Sequence, residues 1–375
     1  MIDKPLAIGG AERLAVDLTI ALDPDRFDRY FVSTRQSSHR QLDGELTSAG
    51  VEYLSLGRRS RLDVAAWRSF ARFLRAQRID VVHTHLFGSN VWGSTVGRLA
   101  GVPAIVAHEH TWSYQGRPLR KLADRHIIAR LADTIIAVSE ADAGKMTAVE
   151  HIPRAAITVI PNGIRDPRVT RDRAQIRKEL GLSDEHFLVA AVAVIRPQKR
   201  LDRLIEAAAL LRDEFPLIRV LIVGAGYPDE AVKLESLVEK RGLGEIVRFL
   251  GERSDAADVM AASDIGVITS DYEGIPLSLL EFMALRRPVV ATAVGGIPEV
   301  LEGRHAGILV ETLTPEAVAA AVKEIAQLSP AEREAMGDRG RLLQQQRFSF
   351  AAYLRSVEEL YERLVPDRIS GDRRA

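Results

Sequence analysis

The sequence predicts an α/β protein of two parallel-sheet domains, and three observations carry that prediction. The chain has 375 residues, too many for one ordinary core and suited to two α/β domains. Short runs rich in Val, Ile and Leu alternate with amphipathic helical patterns from end to end. Those runs are continuously apolar, which marks strands buried on both faces and sheets covered by helices. In order, the predicted strands are Tyr30–Thr34, Val51–Leu56, Ile79–His83, Ala104–His108 and Thr134–Val138. A second series follows: Phe187–Val194, Arg219–Val223, Val247–Leu250, Ile265–Thr269, Val289–Thr292 and Gly307–Val310. Helical patterns such as Ala11–Leu22, Val64–Gln77, Leu201–Glu214 and Pro315–Leu328 lie between them.

The alternation pauses at Ile160-Pro-Asn-Gly-Ile164, and a Pro- and Arg-rich stretch, Arg165–Arg173, follows. The boundary is placed there. Residues 1–165 are expected to form a Rossmann-like N-terminal domain and residues 166–345 a second one. Residues 346–375 supply a last helix, about Phe350–Leu364, returning to the first domain, and a polar tail.

Charge is balanced, with 51 Lys and Arg against 51 Asp and Glu, so the whole chain has no bias toward nucleic acid or other polyanions. Its halves differ: residues 1–165 hold 22 basic against 17 acidic residues, and the remainder 29 against 34. The absence of cysteine excludes disulfides, thiolate metal sites and Cys nucleophiles. Met1 to Gly10 has no apolar core of secretory length, and no stretch approaches the roughly 20 apolar residues of a membrane span. A cytoplasmic protein is expected.

The densest constellation is Ser270-Asp-Tyr-Glu-Gly-Ile-Pro-Leu-Ser-Leu-Leu-Glu281. It follows a predicted strand, and Pro276 suits the first turn of a helix. Gly274 lets backbone approach a ligand closely. Free N–H groups and the dipole at such a helix start favour an anion at the carboxyl end of a parallel strand. Glu273, in the loop, is placed to accept hydrogen bonds from sugar hydroxyls, and Glu281, two turns into the helix, to hold a ribose diol. Lys199 follows another strand end and presents an ammonium where a diphosphate would lie.

The spacing Glu273-x7-Glu281 resembles the signature of the retaining, GT-B-fold glycosyltransferases of family 4, also called group 1. Other pieces occur in family order. Gly9-Gly-Ala-Glu-Arg13 resembles the N-terminal glycine loop. Ala137-Val-Ser-Glu140 and Ile160-Pro-Asn-Gly-Ile164 resemble the inter-domain segments. Pro197-Gln-Lys199 resembles the phosphate-binding lysine loop, and Val294-Gly-Gly-Ile-Pro-Glu299 the segment after the next strand. The resemblance covers nearly the whole chain. It implies two Rossmann-like domains facing across a cleft, and transfer of a sugar from a nucleoside-diphosphate donor (a UDP-sugar or GDP-mannose) with retention of configuration. The acceptor is expected to be a hydroxyl of a growing glycan or lipid-linked glycan, as in polysaccharide biosynthesis.

The resemblance assigns catalytic roles to His110, Lys199 and Glu273. Donor binding falls to Gly9, Gly10, Arg196, Gly274, Ile275, Pro276, Leu277 and Glu281. No cofactor and no metal are implied. A family arginine five residues before the lysine is Val194 here, and Arg196 is the nearby substitute. His108 is the near alternative to His110. The pairs His83/His85 and His108/His110 invite a metal reading, but ligands two apart at a strand end are expected to diverge, so packing is preferred for His83 and His85. Gly224-Ala-Gly226 is a second glycine loop, evenly balanced between turn and ligand contact. Asp23-Pro-Asp25 sits in a turn after a helix and is discounted as a metal motif.

Two basic segments, Arg58–Arg78 and Arg117–Arg130, carry Trp67, Phe70, Phe73, Leu119, Leu122 and Ile127 beside their charges. They read as solvated helix faces first, and second as a peripheral contact with an anionic membrane at its inner face. Three rivals to transfer remain: a nucleotide-sugar 2-epimerase, a glycosidase, and an inactive nucleotide-sugar-binding homologue. One feature is anomalous. A Rossmann unit opens with a buried strand leading into its glycine loop, yet only Met1 to Ile8 precede Gly9. Most of the first, central strand is therefore expected to be missing from this chain, and the native protein to begin upstream of Met1.

Overall fold

The computed structural model describes residues 1–2, 9–35, 40–60, 62–111 and 118–366. The expected polar tail and the segment between Ile2 and Gly9 lie largely outside these. The chain divides into two units, Met1–Asn162 with Ala351–Ala375, and Gly163–Phe350.

The first unit contains β1 (Tyr30–Ser33), β2 (Glu52–Ser55), β3 (Val81–His85), β4 (Ala104–Glu109), β5 (Thr134–Ala137) and β6 (Ile157–Val159). Every pairing is parallel. Strands β1 and β2 form one ladder, and β3-β4-β5-β6 another. Ile2 joins them, with parallel bridges to Ser33 and to His85. Its N–H donates to Val32 O at 2.9 Å, and it accepts from Thr34 N–H at 3.0 Å. On the other side the Met1 amine donates to His83 O at 2.7 Å, and His85 N–H donates to Met1 O at 3.0 Å. The expected strand near Ile2 is therefore present as two residues. Their side chains alternate as strand residues do. Met1 packs beside Trp67, Phe70 and Leu74, whereas Ile2 packs with Val16, Phe31 and Leu46.

Sequence and structure differ at two strands here. The run predicted at Ile79–His83 forms its strand two residues later. Arg78 turns with φ of 48°, and Ile79 N–H still bonds back to Leu74 O at the helix end, so pairing starts only at Val81. The edge strand β6 has three residues, too few to show a period. The last helix, Phe350–Leu364, belongs with this unit from Ala351 onward. Arg26 meets Glu358 at 3.3 Å, and the Phe27 ring lies 6.3 Å from that of Tyr361.

The second unit contains β7 (Phe187–Val192), β8 (Ile218–Val223), β9 (Val247–Gly251), β10 (Ile265–Ile268), β11 (Val289–Thr292) and β12 (Gly307–Val310). They make one parallel sheet in the order β12-β11-β10-β7-β8-β9. Strands β10 and β11 are buried at every position, as their unbroken apolar runs require. One face is covered by the helices Leu201–Leu211 and Pro315–Gln327, through Ile205, Ala208 and Val322, and the other by Leu277–Ala284, through Leu279, Phe282 and Met283. Gly266 of β10 makes room for that packing, since a Cβ there would lie 2.4 Å from the Phe282 ring. Caps set the helix starts: Asp172 and Gln175 form a capping box, as do Ser329 and Glu332, satisfying amides that a helix leaves unpaired. The ends of the unit meet. Ile164 N–H donates to Phe348 O at 3.1 Å, and Phe350 N–H donates to Ile164 O at 2.9 Å.

Candidate active site

The strand order of the second unit reverses between β7 and β10. Chain segments leaving those two strands diverge to opposite faces, opening a crevice at their carboxyl ends. The residues with the densest chemistry in the sequence follow these two strands. Lys199 closes the short 3₁₀ turn Pro197–Lys199 after β7, and Glu273 lies in the loop after β10.

The two loops are stitched together. Asp271 N–H donates to Gln198 O at 3.0 Å, and the Gln198 amide donates to Tyr272 O. Thr269 Oγ1 donates to Lys199 O at 2.9 Å. Arg203, 3% exposed, reaches Thr269 O at 2.5 Å and Asp271 Oδ1 at 2.9 Å. Within this frame the Lys199 ammonium donates to Glu273 Oε1 at 2.5 Å, and Ser270 Oγ donates to the same oxygen at 2.6 Å. Both partners of the ion pair are mostly buried. Each therefore needs the other, or a ligand, because a lone buried charge is costly.

A third loop holds Glu273 from behind. Gly295 has φ of 56°, and a Cβ there would fall 1.6 Å from Glu273 O. Gly296 N–H donates to Gly274 O at 2.9 Å, and Thr292 Oγ1 donates to Ser270 O at 2.7 Å. Gly295 of the Val294–Glu299 motif is thus explained by backbone crowding.

The helix begins at Leu277, so Pro276 is its cap rather than its first-turn residue; with φ of −67° and ψ of 133°, it is extended. Ile275 is 3% exposed and packs in the apolar cluster with Leu279. Its side chain is core, and only its backbone is available to a ligand. Leu277 is half-buried at the edge of that cluster. Glu281 is half-buried, and among the described residues nothing pairs with it. Desolvation pushes its carboxyl up to about 7, because burial disfavours the charged form.

Two further positions differ from expectation. The glycine loop Gly224-Ala-Gly226 is a packing feature: a Cβ on Gly224 would meet Ala193 O at 2.1 Å, and one on Gly226 would meet Ile195 O at 2.0 Å. Arg196 is half-buried, and its Nε is buried without a hydrogen-bond partner among the described residues, whereas the half-buried Val194 offers no polar group at all.

In the first unit, Gly9 caps the twelve-residue helix Gly10–Ala21 with extended backbone and no side chain to fill the cap. His110 follows β4. Its Nε2 lies 3.0 Å from His85 Nδ1, and its ring stacks on His108 at 4.2 Å. His83 Nε2 lies 3.2 Å from His108 Nδ1, and His83 Nδ1 lies 2.6 Å from the Tyr361 hydroxyl. The expectation that these histidines diverge is incorrect. Residues two apart share a strand face, so His83 and His85 stack at 4.3 Å, and donor atoms of His83, His85 and His108 come within 4.8 Å of one another. The group contains no carboxylate and spends two of its nitrogens on the His83–His108 contact. Burial lowers the pKa of every ring in the cluster, His110 to about 3. Next to it Asn90 and Arg120 hold Glu109, at 2.8 and 3.1 Å.

Of the basic segments, Trp67 and Phe70 point inward, 6% and 1% exposed. Leu119 and Leu122 are exposed on the helix Pro118–Ala123. No helix among the described residues is long and apolar enough to cross a membrane.

Sequence reasoning missed Ser270, Arg203 and Gly295 as parts of this site. Ser270 lay inside the quoted motif, three residues from Glu273, and its hydroxyl could have been read as a local partner. The Gly295 and Arg203 contacts span distant segments and left no local signal.

Comparison with known proteins identifies the family. The sequence profile of "Glycosyl transferases group 1" matches residues 172–343, and that of "Glycosyltransferase Family 4" matches residues 8–168. A D-inositol 3-phosphate glycosyltransferase of Actinosynnema mirum is 33% identical over 281 residues, 68% of this chain and 66% of the relative. One from Mycobacteroides abscessus is 31% identical, over 68% of this chain and 61% of its own length. The matches thus span a little under two thirds of these curated relatives. The crystal structure of Anabaena Alr3699/HepE in complex with UDP-glucose superposes with a TM-score of 0.85 at 22% identity, covering 96% of this chain and 98% of that one. With two parallel-sheet units and both halves matched, the chain belongs to the group 1, family 4 glycosyltransferases of the GT-B fold.

Proposed function

We propose that the protein transfers a sugar from a nucleoside-diphosphate sugar to an acceptor hydroxyl, with retention of anomeric configuration. The observation that carries this is the Lys199–Glu273 pair at the switch point of the second sheet. A cation and a carboxylate, adjacent and mostly buried, match a ligand that is anionic at one end and rich in hydroxyls at the other. Lys199, with Arg196, whose Nε is buried without a hydrogen-bond partner among the described residues, neutralises the charge that builds on the diphosphate as the sugar–oxygen bond breaks. Glu273, oriented by Ser270, accepts from hydroxyls of the transferred sugar. Glu281 accepts from the ribose diol, and Gly274 with the backbone of Ile275, Pro276 and Leu277 lines the phosphate path. On motif position alone, Gly9, Gly10 and His110 are assigned to the donor as well.

The reaction is taken to run on one face of the sugar: the departing phosphate oxygen takes the acceptor proton while the acceptor oxygen bonds to the anomeric carbon and the bond from that carbon to the phosphate oxygen breaks. A UDP-linked donor is supported by the nucleotide in the Anabaena relative. The acceptor is assigned by class, a hydroxyl of a glycan or lipid-linked glycan. Exposed Leu119 and Leu122 beside Lys121 support contact with an anionic membrane surface.

The test is incubation with UDP- and GDP-sugars and an acceptor panel that includes D-inositol 3-phosphate, the substrate in the relatives' name. NMR of the product then gives its anomeric configuration. Acceptor-dependent release of nucleoside diphosphate is expected. A donor converted to its epimer without acceptor would establish the 2-epimerase instead.

A further inference from the structure

Register gathers three histidines on one face of the first unit's sheet. His83 and His85 lie two apart on β3, so both side chains leave the same face. The parallel ladder sets His108 of β4 directly opposite His85, which brings its ring to that face as well. The three ring centroids are 4.3, 5.2 and 5.3 Å apart.

Hydrogen bonding does not account for this group. His108 is 0% exposed, its Nδ1 faces His83, and its Nε2 has no hydrogen-bond partner among the described residues. Whichever nitrogen carries the proton, a buried polar atom is left unpaired, which is costly. The rings are instead spaced as ligands. One ring nitrogen from each of the three lies within 4.8 Å of the other two. His83 Nε2 and His108 Nδ1 stand 3.2 Å apart. Two nitrogens bound at roughly 2.0–2.1 Å to one tetrahedral ion are about 3.3 Å apart. That pair already has the separation a shared ion requires, and the others need to close by at most about 1.5 Å to reach it.

The outer contacts have the form that orients a ligating imidazole, whose second nitrogen is held by a polar neighbour. The Tyr361 hydroxyl lies 2.6 Å from His83 Nδ1, which leaves Nε2 as that ring's ligand atom. His110 Nε2 lies 3.0 Å from His85 Nδ1, which leaves His85 Nε2. His83 and His110 are only half-buried, so the cluster is not sealed from solvent. Imidazole nitrogens without a carboxylate suit an ion such as Zn²⁺, Co²⁺ or Ni²⁺, whereas Mg²⁺ and Ca²⁺ take oxygen ligands. Three protein ligands leave a fourth position for water.

We propose that His83, His85 and His108 form a binding site for one divalent transition-metal ion of the Zn²⁺ class, held tetrahedrally with water in the fourth position, and that Tyr361 and His110 orient its ligands. The ion ties β3 to β4 through their side chains. The site does not depend on the sugar-transfer reading, since its occupancy is measured without donor or acceptor.

The experiment uses the full 375-residue protein, made without a polyhistidine tag, stripped with EDTA, dialysed and titrated with Co²⁺. One ion per chain is expected to give the intense visible absorption of tetrahedral cobalt, with hyperfine-shifted imidazole N–H signals from three rings, and Zn²⁺ should displace it. His85→Gln and His108→Gln should each weaken Co²⁺ and Zn²⁺ binding by more than the roughly 10–100-fold that loss of an outer contact costs. Tyr361→Phe should fall within that range and keep the tetrahedral spectrum. His126→Gln, at an exposed histidine outside the cluster, should bind as the wild type does. Circular dichroism shows which variants are folded, and the wild-type spectra decide the matter without them. A wild-type chain that gives no tetrahedral cobalt absorption would overturn the proposal. So would tight binding that persists in a folded protein carrying both His85→Gln and His108→Gln.

Discussion

The Lys199 ammonium and the Glu273 carboxylate meet at 2.5 Å, although 74 residues separate them in sequence. Under the proposed function, a diphosphate at Lys199 would share the ammonium with Glu273. Lys199→Ala is therefore expected to act twice. Calorimetry with UDP should show affinity falling by about 1.5–3 kcal/mol, the worth of a hydrogen bond to a charged group. The ligand-free protein should also melt lower, because Glu273 keeps its burial and loses its cation, a loss of about 3–5 kcal/mol in comparable buried pairs. Undiminished UDP affinity in the variant would remove Lys199 from the phosphate site.

The two glutamates should separate in kinetics. Glu273→Gln keeps an acceptor for Ser270 and is expected to lower kcat with nucleotide affinity nearly intact. Glu281→Gln should weaken nucleotide binding instead. Equal loss of binding in both would refute that division of roles.

Glu281 also has a signature in ligand-free stability. Its folded value, about 7, lies above the ordinary 4.5, so the native state holds the proton more tightly than the unfolded chain. The stabilising contribution is complete below pH 4.5, declines from there to pH 7 and is lost above it. Glu281→Gln does not titrate. Its urea midpoint should exceed that of the wild type at pH 8 and match it near pH 4.5, with a gap of up to roughly 3 kcal/mol. An unchanged difference across that range would show that burial is not what holds the proton.

Gly295→Ala places a Cβ against the carbonyl of Glu273 in a backbone conformation with φ of 56°. The expected result is a destabilisation of about 2 kcal/mol or more and a fall in kcat that outweighs it, since the displaced residue is Glu273. Gly303→Ala, also at positive φ but with open space around its Cβ, is the control. It should lose stability by less and leave kcat unchanged.

The histidine cluster gives the first unit an acid-side limit. All four rings have pKa values lowered by burial, so protons bind the unfolded chain first as pH falls below 6.5. Stability should then drop by up to about 1.4 kcal/mol per pH unit for each histidine. Tryptophan fluorescence of Trp67 and Trp92, which stack at 4.9 Å within this unit, reports the transition. Replacing His83 and His108 with Gln should make the profile between pH 6.5 and 5 shallower, and an unchanged slope would place the acid sensitivity elsewhere.

Much of this architecture was legible beforehand because buried parallel strands write themselves as unbroken apolar runs. Val289–Thr292 and Gly307–Val310 match the structure at both ends. Strand limits set by a turn were not legible: nothing local says that Arg78 adopts positive φ and delays pairing to Val81. For the site, Lys199 and Glu273 could be singled out because each follows a strand end. Their contact with each other could not, since it depends on which strands are neighbours. The histidines were misjudged by expecting ligands two apart at a strand end to diverge, when β3 runs through His83 and His85 and β4 through His108, and side chains two apart on a strand share one face. Ile275 was assigned by its place in a motif, and the motif does not say which way a side chain turns.

The pairing of Ile164 with Phe348 and Phe350 has a practical consequence for dissecting the molecule. A segment whose two ends sit side by side can be lifted out of one polypeptide and set into another without stretching either, which is why insertions succeed at such places. Residues 163–350 form such a module. Produced alone, it carries Lys199, Arg196, Glu273 and Glu281 on an unbroken six-stranded sheet, so the proposed nucleotide binding can be tested apart from the half that holds the histidines. Grafted into a surface loop of an unrelated host, it becomes a portable reporter, in which ligand occupancy at one sheet edge is read out by the behaviour of the host.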